Sequence, residues 1–578
     1  FKEGTDIYFA RQLVFERLQT ARELIPNGVG IPEMGPNTSG LGQVFQYLLV
    51  SDNPENYDSM ALRSLNDWVI KLLLMPIDGV TDVLSFGGNV RQYQVKINPS
   101  KLLSYGLTQE DVVSSLDKNN VNVGGWYVNR GQEQLVIRGT GWFASGTKGI
   151  LDIQKAPVKT IDGVVITVSD VAKVEVGAEI RQGAVTMTRK NEDGRVEHLG
   201  EVVSGIVLKR MGANTKTTID GINKRIALIN QVLPKGVKFV PFYDQSELIE
   251  KAVMTVVEAL AFAFILISIV LTLFLMNLRA TFLVLISIPL SIGVALMLMS
   301  WWGISANLMS LGGIAVAIGM LVDGSVVMVE NMIKHLNSNN AEQSNAKSRL
   351  QIAGKEVARP IFFAASIILV VFAPLYSFEG VEAKLFQPMA VSIMLAIVSA
   401  VVVSLFVVPA LATFLFKKQL EERQSLLLQP INNLYKTCLK WAIRHTLVVV
   451  LLSVSLIGVA IAVMQDIGTE FAPELEEGTI NLRVTLAPSS SLETALTVAP
   501  VLEQKLMAFP EVTYALSRIG RAEIGGDPEP VNNIEIYIGL NPRSQWTSAN
   551  NRYQLQDQME RSLEQFPGLL FTFSQPIA

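Results

Sequence analysis

The apolar positions of the chain are concentrated in six long runs that separate two polar regions. The runs lie near residues 252–276, 281–302, 306–333, 360–377, 386–416 and 446–464. A helix needs about 20 apolar residues to cross the hydrocarbon core of a bilayer, which is about 30 Å thick. The pattern therefore predicts six membrane-spanning helices, with one polar region before them and another after them.

The basic residues between the runs predict the orientation of the chain. An even number of spans places both polar regions on the same side of the membrane. The loops after the first, third and fifth spans are rich in Lys and Arg, whereas the opposite short loops hold only Lys384. Because basic loops stay in the cytoplasm, we expect both polar regions to face outward, into the periplasm of a Gram-negative cell.

Two pairs of similar segments suggest an internal duplication. KLLLMPIDGVTDVLSFGG (71–88) is echoed by KLMAFPEVTYALSRIG (505–520), and ARELIPNGVGIPEMGP (21–36) is echoed by LEQFPGLLFTFSQPIA (563–578). The first pair reads as a helix, a turn and a strand, so the polar regions are expected to form small α+β units. Duplication is common in transporters built from two similar halves. We expect the chain to hold the end of one half and the start of the next.

The composition is typical of a membrane protein and argues against other classes. Apolar residues make up 49% of the chain and the mean hydropathy is +0.35, both high for a soluble globular protein. A formal net charge of −4 without a Lys/Arg-rich block argues against nucleic acid as a partner. The sequence has no phosphate-binding GxxxxGK[ST] loop, so we expect a transporter that is not an enzyme and does not use ATP directly.

The residue types limit the kinds of metal site that are possible. Cys438 is the only cysteine, so no internal disulfide can form, and the three histidines are too widely spaced for a zinc-type ligand cluster. Any metal would therefore be bound by carboxylates, methionine sulfur or carbonyl groups.

The third span carries two acidic residues in the stretch GMLVDGSVVMVEN (319–331). Asp323 and Glu330 are seven residues apart, so in a helix they point within about 20° of one another. Ionisable residues inside a membrane are costly and mark functional sites. Asp323 lies a few residues past the middle of the span, whereas Glu330 lies close to its basic cytoplasmic end.

Small residues precede these acids at helical spacing. Gly313 and Ala317 form one pair, and Ala315 and Gly319 form another, within LGGIAVAIG (311–319). Small residues four apart let helix backbones approach closely in a membrane. The third span is therefore predicted to lie inside a helix bundle.

Two interpretations of Asp323 follow from these residues. It is either a structural carboxylate paired with a cation on a neighbouring helix, or a proton relay that alternates between protonated and ionised forms. Each proton that crosses the membrane releases about 2.3 kcal/mol per 100 mV, which can help drive a conformational cycle. Glu330 is the second candidate for the relay.

Several motifs resemble one known family over essentially the whole chain. They are FKEGTDIYFAR (1–11), RSLNDW (63–68), ISANLMSLGGIAVAIGMLVDGSVVMVEN (304–331), ARPIFFA (358–364), EGVEAKLFQPMA (379–390) and FAPELEEGTI (471–480). Together they resemble the heavy-metal efflux branch of the resistance-nodulation-division (RND) superfamily, the CusA and CzcA type. The drug-exporting branch carries two adjacent Asp in this span, whereas here Gly324 follows Asp323. The resemblance therefore favours the metal branch.

The resemblance implies a fold and an assembly. It implies a polytopic α-helical membrane protein with α+β, ferredoxin-like periplasmic porter subdomains, present here in part. Residues 1–40 would end the first porter subdomain and 41–250 would form the second, with its docking insertion; 251–464 would hold six transmembrane helices and 465–578 part of the third porter subdomain. The complete protein would be a homotrimer in the inner membrane, joined to a periplasmic membrane-fusion adaptor and an outer-membrane channel.

The resemblance also assigns roles to individual residues. Asp323 matches the family's proton-relay Asp, and Met309 matches a Met proposed to pass copper or silver through the membrane. Copper and silver pumps carry another Met in the third porter subdomain, at the position of Arg483. Because thioether ligands select Cu(I) and Ag(I), this replacement argues against those ions.

A later segment favours a divalent ion. RAEIGGDPEPVNNIE (521–535) resembles the version of this segment in divalent-cation pumps, and Glu523, Asp527 and Glu535 are its candidate metal ligands. We therefore expect proton-driven efflux of Zn, Co, Ni or Cd, with the metal as cargo and no resident cofactor. The alternatives are Cu(I) or Ag(I) efflux, efflux of drugs or organic solutes, and a membrane component without its own pumping cycle.

Overall fold

The computed structural model describes residues 1–578 apart from residues 3, 27–29, 40–41, 54, 192, 338–345, 417–427, 465–467, 469–477, 522–528 and 575–578. The chain forms two compact units. Phe1–Pro32 and Ser246–Pro473 form the first, here called the membrane unit. Glu33–Gln245 and Glu474–Ala578 form the second, here called the sheet unit.

The helices, in chain order, are α1 Ile7–Leu24, α2 Ser59–Leu65, α3 Lys71–Leu74, α4 Pro99–Ser104, α5 Gln109–Asn119, α6 Gly146–Gln154, α7 Val168–Val171, α8 Thr215–Val232, α9 Gln245–Leu275, α10 Leu278–Trp301, α11 Leu308–Leu336, α12 Ala346–Phe372, α13 Gly380–Val402, α14 Val408–Leu415, α15 Leu428–Arg444, α16 Thr446–Met464, α17 Leu492–Leu506 and α18 Arg552–Leu563. The strands are β1 Gln43–Ser51, β2 Val80–Phe86, β3 Arg91–Ile97, β4 Val123–Arg130, β5 Glu133–Gly139, β6 Pro157–Ile161, β7 Val164–Thr167, β8 Ala172–Ala178, β9 Gly183–Lys190, β10 Val196–Lys209, β11 Val237–Asp244, β12 Thr479–Thr485, β13 Val512–Gly520, β14 Asn533–Leu540 and β15 Leu570–Ser574. Short π-helical turns span Asn66–Ile70 and Val403–Val407, and 3-10 turns span Ala373–Ser377 and Arg543–Gln545.

Six helical segments in the described part of the chain are long and apolar enough to cross a membrane, and they match the six predicted runs. They are Gln245–Leu275, Leu278–Trp301, Leu308–Leu336, Ala346–Ser377, Glu382–Leu415 and Thr446–Met464. The first and fourth begin well before the apolar runs at 252 and 360. The first turns of these two helices carry polar side chains, so hydropathy alone does not locate where the helices begin. The fourth helix also continues through Pro360, where the sequence predicted a start.

The third membrane helix, α11, packs closely against α13 through small residues. A Cβ built on Gly313 would lie 2.1 Å from Ser392 Oγ and 2.7 Å from the carbonyl oxygen of Met389. Ala317 is fully buried in a cluster that includes Ala396 of α13. Gly319 has no neighbour within 4 Å of its built Cβ in the described chain. The first small-residue pair thus forms a helix contact, and the second pair is not used in this way.

The first half of the sheet unit has the topology of a split βαβ fold. Strand β1 pairs with β11 and β10, and β10 pairs with β2, all antiparallel. The spatial order is therefore β11-β1-β10-β2, with α2, α3 and α8 as the connecting helices. Side chains of these strands and helices form one buried core. This order is the ferredoxin-like arrangement.

The second half of the sheet unit repeats the arrangement. Its order is β13-β14-β12-β15, again antiparallel, with α17 and α18 as connecting helices. Its own core contains fully buried side chains from β12, β13, β14, α17 and α18. In each half, helices therefore cover the apolar face of the sheet.

Strand β9 joins the two halves into one sheet of nine strands. The first part of β10, Val196–Val202, pairs with β9, and β9 pairs on its other edge with β13. The later part of β10 pairs with β1 and β2. Between β2 and β9 the chain forms three two-stranded sheets, β3 with β8, β4 with β5 and β6 with β7.

A buried carboxylate fixes β9 to the second half. Glu503 of α17 is fully buried and accepts hydrogen bonds from the hydroxyls of Thr186 at 2.5 Å and Thr188 at 2.6 Å. Thr188 also contacts His198 Nδ1 at 2.6 Å. Burial raises the pKa of Glu503, and the two threonine hydrogen bonds only partly oppose this rise.

The RSLNDW segment (63–68) has a structural role in the first half. Arg63 is buried and its Nη1 donates to the carbonyl of Gly87 at 2.9 Å. Asn66 accepts from the hydroxyl of Tyr47 at 2.7 Å and donates to Ser85 Oγ at 2.7 Å. These bonds connect α2 and its π turn to β1 and β2 beneath the sheet.

One of the two predicted repeats is present in the structure. The segments 71–88 and 505–520 each form a helix, a five-residue turn and a strand, with turns at 75–79 and 507–511. The segment 563–578 likewise ends α18 and continues into β15, but its partner 21–36 forms no strand in its described residues. Among the described residues, the strand is thus present in only the second of these two segments.

We expect Gly313→Ala to destabilise the helix bundle. The new methyl group would collide with Ser392 and with backbone of α13, and overpacking of this kind costs about 1–3 kcal/mol. The control is Gly293→Ala in α10, because a Cβ there has nothing within 4 Å in the described chain. The thermal stability of the full-length protein in detergent, followed by size-exclusion chromatography, should fall for the first variant only. Equal stability of both variants would contradict the close α11–α13 contact.

Candidate functional site

Asp323 of α11 lines a cavity of about 500 Å³ in the membrane unit. Helices α11, α12 and α13 form its walls. Apart from Asp323 and Ser404, the lining residues are apolar or glycine. The helix contacts at Gly313 and Ala317 fix α11 against α13, and Asp323 further along α11 is exposed at this cavity.

The carboxylate of Asp323 makes no hydrogen bond or ion pair with any residue that the structure describes. Among the described residues, no other titratable side chain lines the cavity. One interpretation of Asp323 is that it forms a structural ion pair. In the described part of the chain it has no cationic partner for such a pair.

Gly324 explains why a single acid occupies this turn. A Cβ built on it would lie 3.0 Å from Ser404 Oγ and 3.3 Å from Ile361 Cγ2. Helices α11, α12 and α13 meet at this point. A side chain at position 324 would be tight against Ser404 and Ile361, so glycine suits this packing.

Glu330 lies near the end of α11, beside a polar network that it does not join in the described structure. Asn331 donates from Nδ2 to the carbonyl of Ala353 at 2.9 Å and to Glu356 at 3.2 Å. His335 Nε2 lies 2.7 Å from the same Glu356 carboxylate. The network fastens α11 to α12. The sequence analysis missed Glu356, although Asn331 and His335 are spaced i and i+4 and so share a helix face.

Met309 is distant from Asp323. It lies in the first turn of α11, with 38% of its surface exposed, and does not line the Asp323 cavity. Fourteen residues of helix separate the two side chains by about 21 Å along the axis. The structure therefore places them on one helix without bringing them together, and the relay role of Met309 stays a prediction.

Glu535 is bound to a guanidinium in the sheet unit. Arg483 of β12 lies opposite Glu535 of β14, and its Nη2 is 2.8 Å from Glu535 Oε1. The same nitrogen lies 3.2 Å from Glu529 Oε1. Glu523 and Asp527, the other two ligands proposed for this segment, lie outside the described residues. In the part of the chain that is described, no group of three or more His, Cys, Asp or Glu side chains could hold a metal.

A buried arginine beside Glu535 was not foreseen from the sequence. Arg518 stacks 4.6 Å from the ring centre of Tyr537 and contacts Gln46 of β1. Its Nη1 donates to the Tyr537 hydroxyl at 3.1 Å, and that hydroxyl donates to Glu535 at 3.4 Å. Burial raises the pKa of Tyr537, so the hydroxyl stays neutral and able to donate. Two arginines therefore supply positive charge around Glu535.

Comparisons with known proteins agree on one family. The model described as the AcrB/AcrD/AcrF family matches residues 1–578. Over its whole length the chain is 35% identical to the cation efflux system protein CzcA of Alcaligenes sp. (strain CT14) and covers 54% of that protein. It is 32% identical to the cation efflux system protein CusA of Escherichia coli (strain K12), of which it also covers 54%.

A solved structure gives the same result. The crystal structure of a heavy metal efflux pump, crystal form I, is similar to this chain with a TM-score of 0.82 and 32% identity. The match covers 100% of this chain and 54% of that one, so the chain spans about half the length of the relatives it matches. These findings confirm the resemblance and the fold class inferred from the sequence. The chain belongs to the AcrB/AcrD/AcrF family.

Proposed function

We propose that the chain is part of a pump that uses the proton gradient to export heavy-metal cations across the cell envelope. The observation that carries the proposal is the carboxylate of Asp323, which lies at a cavity between helices long and apolar enough to span a membrane and has no partner among the described residues. Two relatives that match over this chain's whole length are named for cation efflux. As in that family, the complete protein would be an inner-membrane trimer with an adaptor and an outer-membrane channel, and the sheet unit would lie in the periplasm.

Asp323 would couple proton movement to conformational change. An ionised carboxylate in an apolar helix is costly, whereas the protonated form is far less so. Helix arrangements that open the cavity to water favour the ionised form, and closed arrangements favour the protonated form. A proton that enters from the outer side would therefore favour the closed arrangement. Its release to the cytoplasm would favour the open arrangement in turn. The membrane potential alone supplies about 2.3 kcal/mol per 100 mV for each proton.

A divalent cation is the cargo that we favour. Arg483 stands where a copper or silver pump would carry a thioether, and a cationic guanidinium cannot bind a metal. One relative, 35% identical, is named a cobalt-zinc-cadmium resistance protein, from Cupriavidus metallidurans (strain ATCC 43123 / DSM 2839 / NBRC 102507 / CH34). Met309 is the one observation that favours the Cu(I) or Ag(I) alternative.

Replacing Asp323 by Asn in the complete gene should abolish transport, because the amide cannot exchange a proton. Zinc-driven proton movement in proteoliposomes that contain the full-length pump should fall to the level of empty liposomes. Glu258→Gln is the matched control, since Glu258 is an exposed acid in another membrane helix, α9. Glu330→Gln should reduce the flux without abolishing it. Unchanged flux in Asp323→Asn would refute the proton-relay proposal.

The choice of metal is tested by growth. A pump-deficient strain that carries the complete gene should gain tolerance to at least one of Zn, Co, Ni and Cd, because the porter segment offers carboxylates rather than thioethers. Tolerance to Cu and Ag should stay at the level of the empty vector. Rescue confined to Cu and Ag would overturn the divalent preference.

The role of Glu535 as a metal ligand is tested by removing Arg483, because its guanidinium would compete with a metal for the Glu535 carboxylate. Arg483→Ala should tighten Zn²⁺ binding to the full-length protein about tenfold, since a charge-assisted hydrogen bond contributes about 1.5–3 kcal/mol. Adding Glu535→Gln should cancel the gain. Arg195→Ala, at an exposed arginine of the same unit, is the control. Unchanged affinity in Arg483→Ala, measured by titration calorimetry, would remove Glu535 from the ligand set.

A further inference from the structure

A second and larger opening, here called the outer groove, lies at one end of the membrane unit and shares no lining residue with the Asp323 cavity. Its volume is about 1190 Å³, and every residue that lines it belongs to the membrane unit. The turn between α10 and α11, the segment after α12 and the first half of α13 form its walls. The basic loops predict that this end faces outward. The motif EGVEAKLFQPMA (379–390), to which the proposed function gives no role, supplies much of the lining.

Hydrogen bonds from side chains to backbone hold two walls of the outer groove in place. Gln387 Nε2 donates to the carbonyl oxygens of Tyr376 and Phe378, each at 3.0 Å. In the turn between α10 and α11, Ser310 Oγ donates to the carbonyl of Ser305 at 3.0 Å. The walls are therefore built into the fold, and the groove is not a gap between unattached loops.

The outer groove changes from polar to apolar along one face of α13. Lys384 and Met394 both line it, and ten residues of helix separate them by about 15 Å along the axis. Glu379 and Lys384 lie where α13 begins, whereas Val391 and Met394 lie deeper in the span Glu382–Leu415. A phospholipid has its groups in the same order, with a charged headgroup followed by acyl chains.

Aromatic rings surround the polar end of the outer groove. Trp302, Tyr376 and Phe378 line it, and all three side chains are exposed. Trp and Tyr are enriched at the depth of the lipid headgroups. The faces of aromatic rings also attract ammonium groups. The polar end of the groove therefore has the side chains expected beside a headgroup.

Two opposite charges at this end have no partner in the described part of the chain. Glu379 and Lys384 are exposed, and neither forms a hydrogen bond or an ion pair with a described residue. The ammonium of Lys384 can donate to a phosphate, and the carboxylate of Glu379 can accept from an ammonium group. A free phosphate or an anionic headgroup would use only the lysine, whereas a zwitterionic headgroup uses both charges.

We propose that the outer groove binds a phospholipid with a phosphoethanolamine headgroup, taken from the outer leaflet of the membrane. Lys384 binds the phosphate, Glu379 binds the ammonium group, and an acyl chain lies along Val391 and Met394. Cavities of about 300–1,000 Å³ enclose drug-sized ligands, so a groove of about 1190 Å³ has room for the headgroup and part of a chain. The inference goes beyond the proposed function and depends on neither Asp323 nor a metal.

Native mass spectrometry of the full-length protein in detergent resolves the binding of single phospholipid molecules. Dioleoyl phosphatidylethanolamine should bind about tenfold more weakly to Lys384→Gln and to Glu379→Gln, because each variant loses one charge-assisted hydrogen bond. Glu258→Gln and Lys355→Gln are the matched controls, since both residues are exposed in membrane helices and neither lines the groove. The two controls should bind the lipid as the wild type does.

Three further ligands distinguish a lipid from its parts. Dioleoyl phosphatidylglycerol lacks the ammonium group, so it should bind the wild type more weakly than the ethanolamine lipid, and Glu379→Gln should remove this difference. Glycerophosphoethanolamine has the headgroup without acyl chains, and inorganic phosphate has neither. Neither of these two should displace the bound lipid.

The inference is overturned if Lys384→Gln or Glu379→Gln binds the ethanolamine lipid as tightly as the wild type, or if the controls lose affinity to the same extent. Displacement by inorganic phosphate or glycerophosphoethanolamine, or equal affinity of the wild type for both lipids, would also overturn it. Proton flux is not measured in this experiment. A failure here therefore leaves the pump proposal standing, and full flux in Asp323→Asn would leave lipid binding standing.

Discussion

The membrane unit depends on one constraint, which is that a carboxylate inside a bilayer must be given a polar surrounding or a proton. Asp323 lies in an otherwise apolar stretch of α11, and the helix is held so that the acid meets a cavity. Gly313 and Ala317 above it, and Gly324 directly after it, let α13 approach close enough to hold α11. Any larger side chain at Gly313 or Gly324 would move the acid or fill the contact.

A different constraint acts on the sheet unit. Each of its two small ferredoxin-like sheets has open edges. Strand β9 joins the edges of both into one sheet, which removes two exposed edges at once. Glu503 fixes β9 to α17, and Arg518 connects β13 to Gln46 of β1. The two halves therefore share polar contacts as well as backbone pairing. Arg483 and Arg518 supply positive charge beside Glu535, the acid of β14, so a metal at Glu535 would have to displace a guanidinium.

Much of this architecture could be predicted from the sequence. Hydropathy located all six membrane helices, since transfer of apolar side chains dominates their energy. The small residues Gly313 and Ala317 and the isolated acid Asp323 could also be recognised, because each stands out within an apolar run. The helix starts at residues 245 and 346 were missed because their first turns are polar. Domain roles and partners remain predictions.

Other features could not be read from the sequence because they depend on contacts distant in the chain. The pairing of β9 with β13 joins residues more than 300 positions apart, and no local pattern specifies it. Glu356 is ordinary in sequence and acquires its role only when α11 and α12 meet. Local sequence patterns thus predicted the helices and strands. Contacts between residues distant in the chain determine which side chains meet at the candidate site.

The central claim is that Asp323 changes its protonation as the pump moves its cargo. Difference infrared spectroscopy of the full-length protein, with and without Zn²⁺, observes the protonated carboxyl group directly. The account predicts a Zn²⁺-dependent change in a carboxyl C=O band that is absent from Asp323→Asn. A spectrum without such a change, or with the same change in Asp323→Asn, would contradict it.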